Sequence, residues 1–190
     1  IGSFQVGLGD VLLRQETVGY RRLEQATERL LEICSVSMEP EEYETTALWV
    51  ALLPKMEADY RERGLHLLGG MHGAEHALVA MLPLLAWCDV RDLGGVSLLH
   101  HSGLGMPALF LYDAHPGGMG LVEAGFEEFS LLVEMASAAV EQCPCEAGCP
   151  GCIQSPFCGS GNQPLDKAAA KSLLGSLLEA GQGLQGSAVA

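Results

Sequence analysis

The pattern of apolar and polar positions predicts extended segments first and helices later. Residues 3–22 alternate loosely: Phe4 and Val6 precede Gly7-Leu-Gly-Asp10, and Val11, Leu13, Gln15, Thr17 and Val18 lead on to Tyr20. This predicts a hairpin of two strands about a glycine turn. Two periods compete over residues 23–38. Leu23, Ala26, Leu30 and Ile33 have helical spacing, while residues 30–36 also read as extended. Residues 43–53 are rich in strand formers and stop at Pro54, which predicts a strand.

From there the period changes. Residues 56–63 begin an amphipathic helix that Gly64 halts, and residues 67–87 are apolar almost all round, as in a central buried helix. Gly69-Gly70 is expected to separate that helix from what precedes it, and Pro83 to kink it. Residues 96–100 and 108–112 are short apolar runs that predict two adjacent strands. A glycine loop over 113–120 leads to one long helix over 121–142, carrying Leu121, Phe126, Phe129, Leu132, Val133 and Ala136. A last helix over 166–180 follows Pro164 and shows Leu173, Leu174, Leu177 and Leu178 on one face, and residues 181–190 read as a frayed tail. Strands first, then helices mixed with a strand pair, predict an α+β fold: a mostly antiparallel sheet packed with helices.

Composition narrows this to a globular chain. Of 190 residues, 48% are apolar and 18% charged. One domain over 1–190 is the expectation at this length, and no apolar run reaches the length of a membrane span. The chain opens on Ile1 without a secretory signal, which suggests a cytoplasmic piece of a longer chain. The net charge of −14, with ten lysines and arginines, argues against a stand-alone nucleic-acid binder. The clusters Arg14, Arg21, Arg22, Arg29 and Lys55, Arg61, Arg63 read as solvated faces.

The chemistry concentrates in residues 143–162, which hold five of the seven cysteines. Cys145, Cys149, Cys152 and Cys158 have the spacing C-x3-C-x2-C-x5-C, with prolines and glycines between and after them. Such a segment has no regular structure of its own. Four thiolates around one structural Zn²⁺ would hold it in shape and supply its folding energy. Cys143 is the alternative first ligand in place of Cys145. An iron–sulfur cluster also takes four cysteines, and disulfides are the third option. The zinc loop would join the last two helices and pin one against the other.

In this stretch the chain resembles a known family. The run from Cys143 through Asn162-Gln-Pro164-Leu-Asp166-Lys167 is similar to the end of the MrfA zinc-binding domain, a C-terminal module of mitomycin-repair-type superfamily 2 DNA helicases with RecQ-like fungal relatives. Glu44-Thr-Thr-Ala-Leu-Trp49, His72-Gly-Ala-Glu75-His76, Cys88-Asp89 through Val96, and Tyr112-Asp113 through Gly120 fit in that order. The resemblance implies a structural zinc domain of an ATP-dependent 3′-to-5′ helicase involved in DNA repair. It places the helicase motor domains before Ile1, brings ATP only through them, and makes single-stranded DNA a partner that the isolated fragment would hold weakly.

Two other groupings invite chemistry. His72-x-x-Glu75-His76 is an H-x-x-E-H pattern, in which two imidazoles would hold a catalytic Zn²⁺, Glu75 would activate water, and Glu123, Glu127 or Glu128 would be the third ligand. The bland reading is a buried histidine–glutamate network. Asp113 and His115 stand in a loop after a strand, where free backbone N–H groups would suit a phosphate. The structural alternative is a turn that needs positive φ. No G-x-x-x-x-G-K-[ST] occurs, so the fragment itself is not expected to hydrolyse ATP. A stand-alone metallohydrolase on His72, Glu75 and His76, and a protein-interaction module, remain the alternative functions.

Overall fold

The computed structural model describes residues 3–27 and 29–185. Its central sheet uses β1 (Phe4–Gln15), β4 (Glu41–Leu52), β6 (Met106–Asp113) and β5 (Leu93–His101) in the order β1-β4-β6-β5, every pair antiparallel. β2 (Gly19–Leu23) and β3 (Leu30–Ser35) form a separate two-stranded ribbon. The helices are α1 (Pro54–Glu62), α2 (Leu67–Met81), α3 (Pro83–Ala86), α4 (Leu121–Glu127), α5 (Phe129–Gln142) and α6 (Lys167–Gln185). The fold is therefore α+β, with the cysteine segment between the last two helices. Among the described residues, no helix is long and apolar enough to cross a membrane.

The period-two pattern of the middle strands decides the layering. Leu48, Val50 and Leu52 on β4, with Leu109 and Leu111 on β6, face the helices. They join Met71, Ala74 and Leu78 of α2, Leu132, Val133 and Ala136 of α5, and Leu173, Leu174 and Leu177 of α6 in the main core. Ala47, Ala51, Ala108 and Phe110 point the other way and form a small second cluster with Trp49 and Tyr112. A strand buried on both faces reads as a continuous apolar run, as β6 does.

Several expectations are corrected here. Gly7-Leu-Gly9 is not a turn. β1 runs straight through it as a single twelve-residue strand, and Gly7 lies opposite Trp49. A side chain at Gly7 would occupy the space of the Trp49 indole, so the glycine serves a cross-strand close approach. The helical spacing over residues 23–38 also gives way, because residues 30–35 pair with β2, Tyr20 opposite Cys34. Gly69 and Gly70 lie inside the first turn of α2 and do not separate it from anything. There, a Cβ on Gly70 would meet Ala169 of α6, and one on Gly73 would press on Ala170 and Ile153. Missing side chains thus let α2 and α6 approach closely.

The helix expected over 121–142 is two helices. The chain leaves helical geometry at Glu128 (φ −104°, ψ 30°), so Val122 of α4 and Leu132, Val133, Ala136 and Val140 of α5 bury separate faces. At Pro83 the chain starts the short α3, which ends at left-handed Trp87 (φ 54°). α6 runs on to Gln185, through part of the stretch expected to fray, and residues 186–190 lie outside the described residues.

Candidate metal centre

Local sequence explains the shape of the cysteine segment. α5 ends at Gln142, Cys143 caps it in extended conformation, and Pro144 cannot continue the helix. The Cys149 carbonyl then accepts the N–H groups of Cys152, Ile153 and Gln154 at 3.0, 3.2 and 3.1 Å, closing a tight turn that aims two sulfurs the same way. Ile153 is fully buried and anchors this turn in the main core. The sulfurs of Cys143, Cys145, Cys149 and Cys152 converge within 4.8 Å of one another.

Their spacing has the dimensions of a metal tetrahedron. Cys143–Cys145, Cys143–Cys149, Cys145–Cys152 and Cys149–Cys152 are separated by 3.6, 3.5, 3.4 and 3.8 Å. Four Zn–S bonds of about 2.3 Å give sulfur–sulfur edges of about 3.8 Å. All seven cysteines are free thiols, so this is not a disulfide framework. Burial counts against a thiolate at Cys145, but contacts from Cys152, Lys167, Cys143 and Cys149 outweigh it and hold its pKa down to about 6. Burial pushes Cys152 up to about 12. The protein alone favours charge on one sulfur and opposes it on another, and a bound dication is what makes four thiolates compatible.

The residues after the cysteines complete the clamp. Lys167 Nζ donates to the carbonyls of Cys143, at 2.7 Å, and Cys145, and stands 3.2 Å from Cys145 Sγ. Asp166 accepts the Ala169 N–H at 2.9 Å, capping α6, and the His66 N–H at 2.9 Å, tying α6 to the start of α2. Asn162, in left-handed conformation, exchanges hydrogen bonds of 2.8 and 3.0 Å with the Ser155 backbone. Each polar residue of the Asn-x-Pro-Leu-Asp-Lys sequel thus has a separate mechanical task.

The clustered set differs from the one expected from spacing. Cys145, Cys149 and Cys152 are in it, whereas Cys158 is not, and Cys143 supplies the fourth sulfur. The turn over 155–162 carries Cys158 across to α2, where its sulfur lies 3.3 Å from His72 Nε2. Cys143-x-Cys145 beside Cys149-x-x-Cys152 is the signal that would have marked the cluster: two closely spaced pairs on either side of one turn.

The other candidate residues divide. His72 and His76 face Cys158 and line an open cleft of about 920 Å³. Glu75 lines the same cleft but turns to β5, where its carboxylate accepts the Ser97 hydroxyl at 2.7 Å, and burial pushes its pKa up to about 7. Glu123, Glu127 and Glu128 are not among the described groups that converge on the histidines. Asp113 is fully buried and accepts the N–H groups of Met119, Leu121 and Val122, the last two at 3.2 and 3.0 Å. It thereby occupies amides that a phosphate at the start of α4 would need. His115 contacts Asp92 at 3.1 Å, which, with a backbone hydrogen bond from Asp89, holds the Asp92 carboxyl below the usual range.

Comparison with known proteins agrees with this chemistry. The family model described as the MrfA Zn-binding domain matches residues 74–153, a stretch that includes His76 and all four clustered cysteines. The ATP-dependent helicase YprA of Bacillus subtilis is 32% identical over 145 residues, covering 76% of this chain and 19% of YprA. A solved structure of the DUF1998 helicase MrfA bound to DNA superimposes with a TM-score of 0.68 at 28% identity, over 93% of this chain and 23% of that one. The chain thus spans about a fifth of these helicases. The uncharacterized protein MJ1572.1 of Methanocaldococcus jannaschii is 34% identical over 111 residues, 57% of this chain and 99% of its own length. With a zinc-sized sulfur cluster between its last two helices, the chain belongs to the family of the MrfA Zn-binding domain.

Proposed function

We propose that Cys143, Cys145, Cys149 and Cys152 hold one structural Zn²⁺, and that the domain so organised serves an ATP-dependent 3′-to-5′ DNA helicase acting in DNA repair. The observation that carries the reading is the four-sulfur cluster joining the end of α5 to the start of α6, in a chain whose relatives include ATP-dependent helicases that carry this domain as part of a longer chain. Four sulfur ligands leave no open position, so the ion's contribution is to folding and not to catalysis. The role is to brace the motor domains, with a minor contact to single-stranded DNA.

Surface charge supports a minor DNA contact. Arg14, Arg22, Arg29, Arg61, Arg63, Arg91 and Lys171 are each paired with a nearby carboxylate, and Lys167 is engaged by the cysteines. That leaves few of the ten lysines and arginines to meet phosphates. The test has two arms. Fluorescence anisotropy with a single-stranded oligonucleotide is expected to show weak binding by this chain that salt abolishes, and tight, salt-resistant binding overturns the minor-contact reading. Cys152→Ser in a helicase chain carrying this domain is expected to lower strand unwinding while nucleotide binding persists. Unchanged unwinding by a zinc-depleted variant overturns the bracing role.

A further inference from the structure

The cleft beside the sulfur cluster holds a second set of metal-binding donors. His72 and His76 are four residues apart on α2 and share a face, with ring centroids 4.3 Å apart. Each ring has its Nδ1 against a backbone carbonyl: His72 on Pro164 O at 2.9 Å and His76 on Ile153 O at 2.8 Å. A carbonyl oxygen only accepts, so both Nδ1 atoms carry the hydrogen, and both Nε2 atoms present a lone pair. This is the arrangement by which a second carbonyl or carboxylate orients metal-binding histidines.

Cys158 brings the third donor. Its sulfur lies 3.3 Å from His72 Nε2 and receives the Asn162 N–H at 3.2 Å, with the Ser160 hydroxyl at 3.1 Å. These contacts fix the sulfur beside the imidazole. Zinc bonds of about 2.0–2.1 Å to nitrogen and about 2.3 Å to sulfur separate such donors by about 3.5 Å, close to the distance seen. His76 Nε2 has no hydrogen-bond partner among the described residues, and a His72–Cys158 hydrogen bond alone leaves it unexplained. All three donor atoms lie within 4.8 Å of one another.

We propose that His72, His76 and Cys158 form a second zinc site, of the His₂Cys type, with its fourth position facing the cleft. Imidazole and thiolate donors select zinc over magnesium or calcium, which prefer oxygen. Three protein ligands with a position left to solvent differ in kind from the closed four-sulfur site. The ion also fastens the 155–162 turn to α2, as the first fastens α5 to α6. This site does not depend on any link to a helicase.

Elemental analysis of the purified chain, dialysed against buffer free of chelator, tests the proposal. Two zinc ions per wild-type chain are expected, and one in Cys158→Ser and in His76→Ala. Circular dichroism and melting identify a variant that has failed to fold, and the partly exposed Cys158→Ser serves if His76→Ala does so. In the cobalt-loaded chain, the wild-type spectrum minus that of Cys158→Ser should show a single-thiolate charge-transfer band. One zinc in the wild type that both variants keep overturns the proposal. So does one zinc that Cys158→Ser removes and Cys143→Ser does not, because Cys158 then belongs to the four-sulfur set.

Discussion

Cys152→Ser is the most informative perturbation of the four-sulfur centre. Cys152 is the most buried of its ligands, and its neighbour Ile153 is the one apolar side chain that the segment sinks fully into the core. Burying Ile153 contributes about 2–3 kcal/mol, whereas ordering each residue of a loop costs about 1–2 kcal/mol. The turn therefore depends on the metal. Structural zinc binds with about 10–16 kcal/mol, most of it offset by ordering the loop. On the order of 5 kcal/mol then reaches the rest of the fold, where each 1 kcal/mol moves the Tm by about 2–4 °C.

The expected outcome is loss of the four-sulfur ion and a Tm lower by about 10–20 °C. The sheet core survives, since none of its strands touches the cluster through a ligand. Hydrogen exchange gives the local readout. The amides of Cys152, Ile153 and Gln154, all bonded to Cys149 O, should lose protection, while those of β4 and β6 keep it. If Cys152→Ser binds no metal at the cluster, keeps those three amides protected and melts within about 2 °C of wild type, the segment folds without zinc and the reasoning fails.

Other expectations rest on single contacts. Lys167→Met removes the ammonium 3.2 Å from Cys145 Sγ, so zinc should transfer to a chromogenic chelator roughly tenfold faster, as expected for a charge-assisted bond of about 1.5 kcal/mol. An unchanged transfer rate would mean the lysine serves only the carbonyls. Gly70→Val places a side chain against Ala169, where backbone as well as Cβ is close; it should cost about 1–3 kcal/mol or more by forcing α2 from α6. Urea denaturation measures that cost. Asp113→Ala leaves the first amides of α4 without their acceptor and should cost about 2–4 kcal/mol by thermal melting, with Asp113→Asn recovering part of it. Equal losses in the two variants would argue that the carboxylate, and not an acceptor oxygen, is what α4 requires.

By itself the sequence determined most of the elements and the presence of a metal-binding segment. β4 and β6 carry period-two or continuous apolar runs, Pro54 marks the end of a strand, and five cysteines set among turn residues need a metal to hold them in place. These signals are local, and local physics writes them: side-chain period, ring-locked φ, and a loop too rich in proline and glycine to fold alone. Tertiary structure decided what depends on distant partners. Gly7 and Gly9 look like a turn until Trp49, far along the chain, needs the empty space at Gly7. The break at Glu128 has no glycine or proline to mark it, and it exists because α4 and α5 bury different faces. Spacing alone cannot rank Cys143 against Cys158. The sulfur that joins the cluster is chosen by where α5 ends, and the one that leaves it by the turn that delivers Cys158 to the histidines of α2.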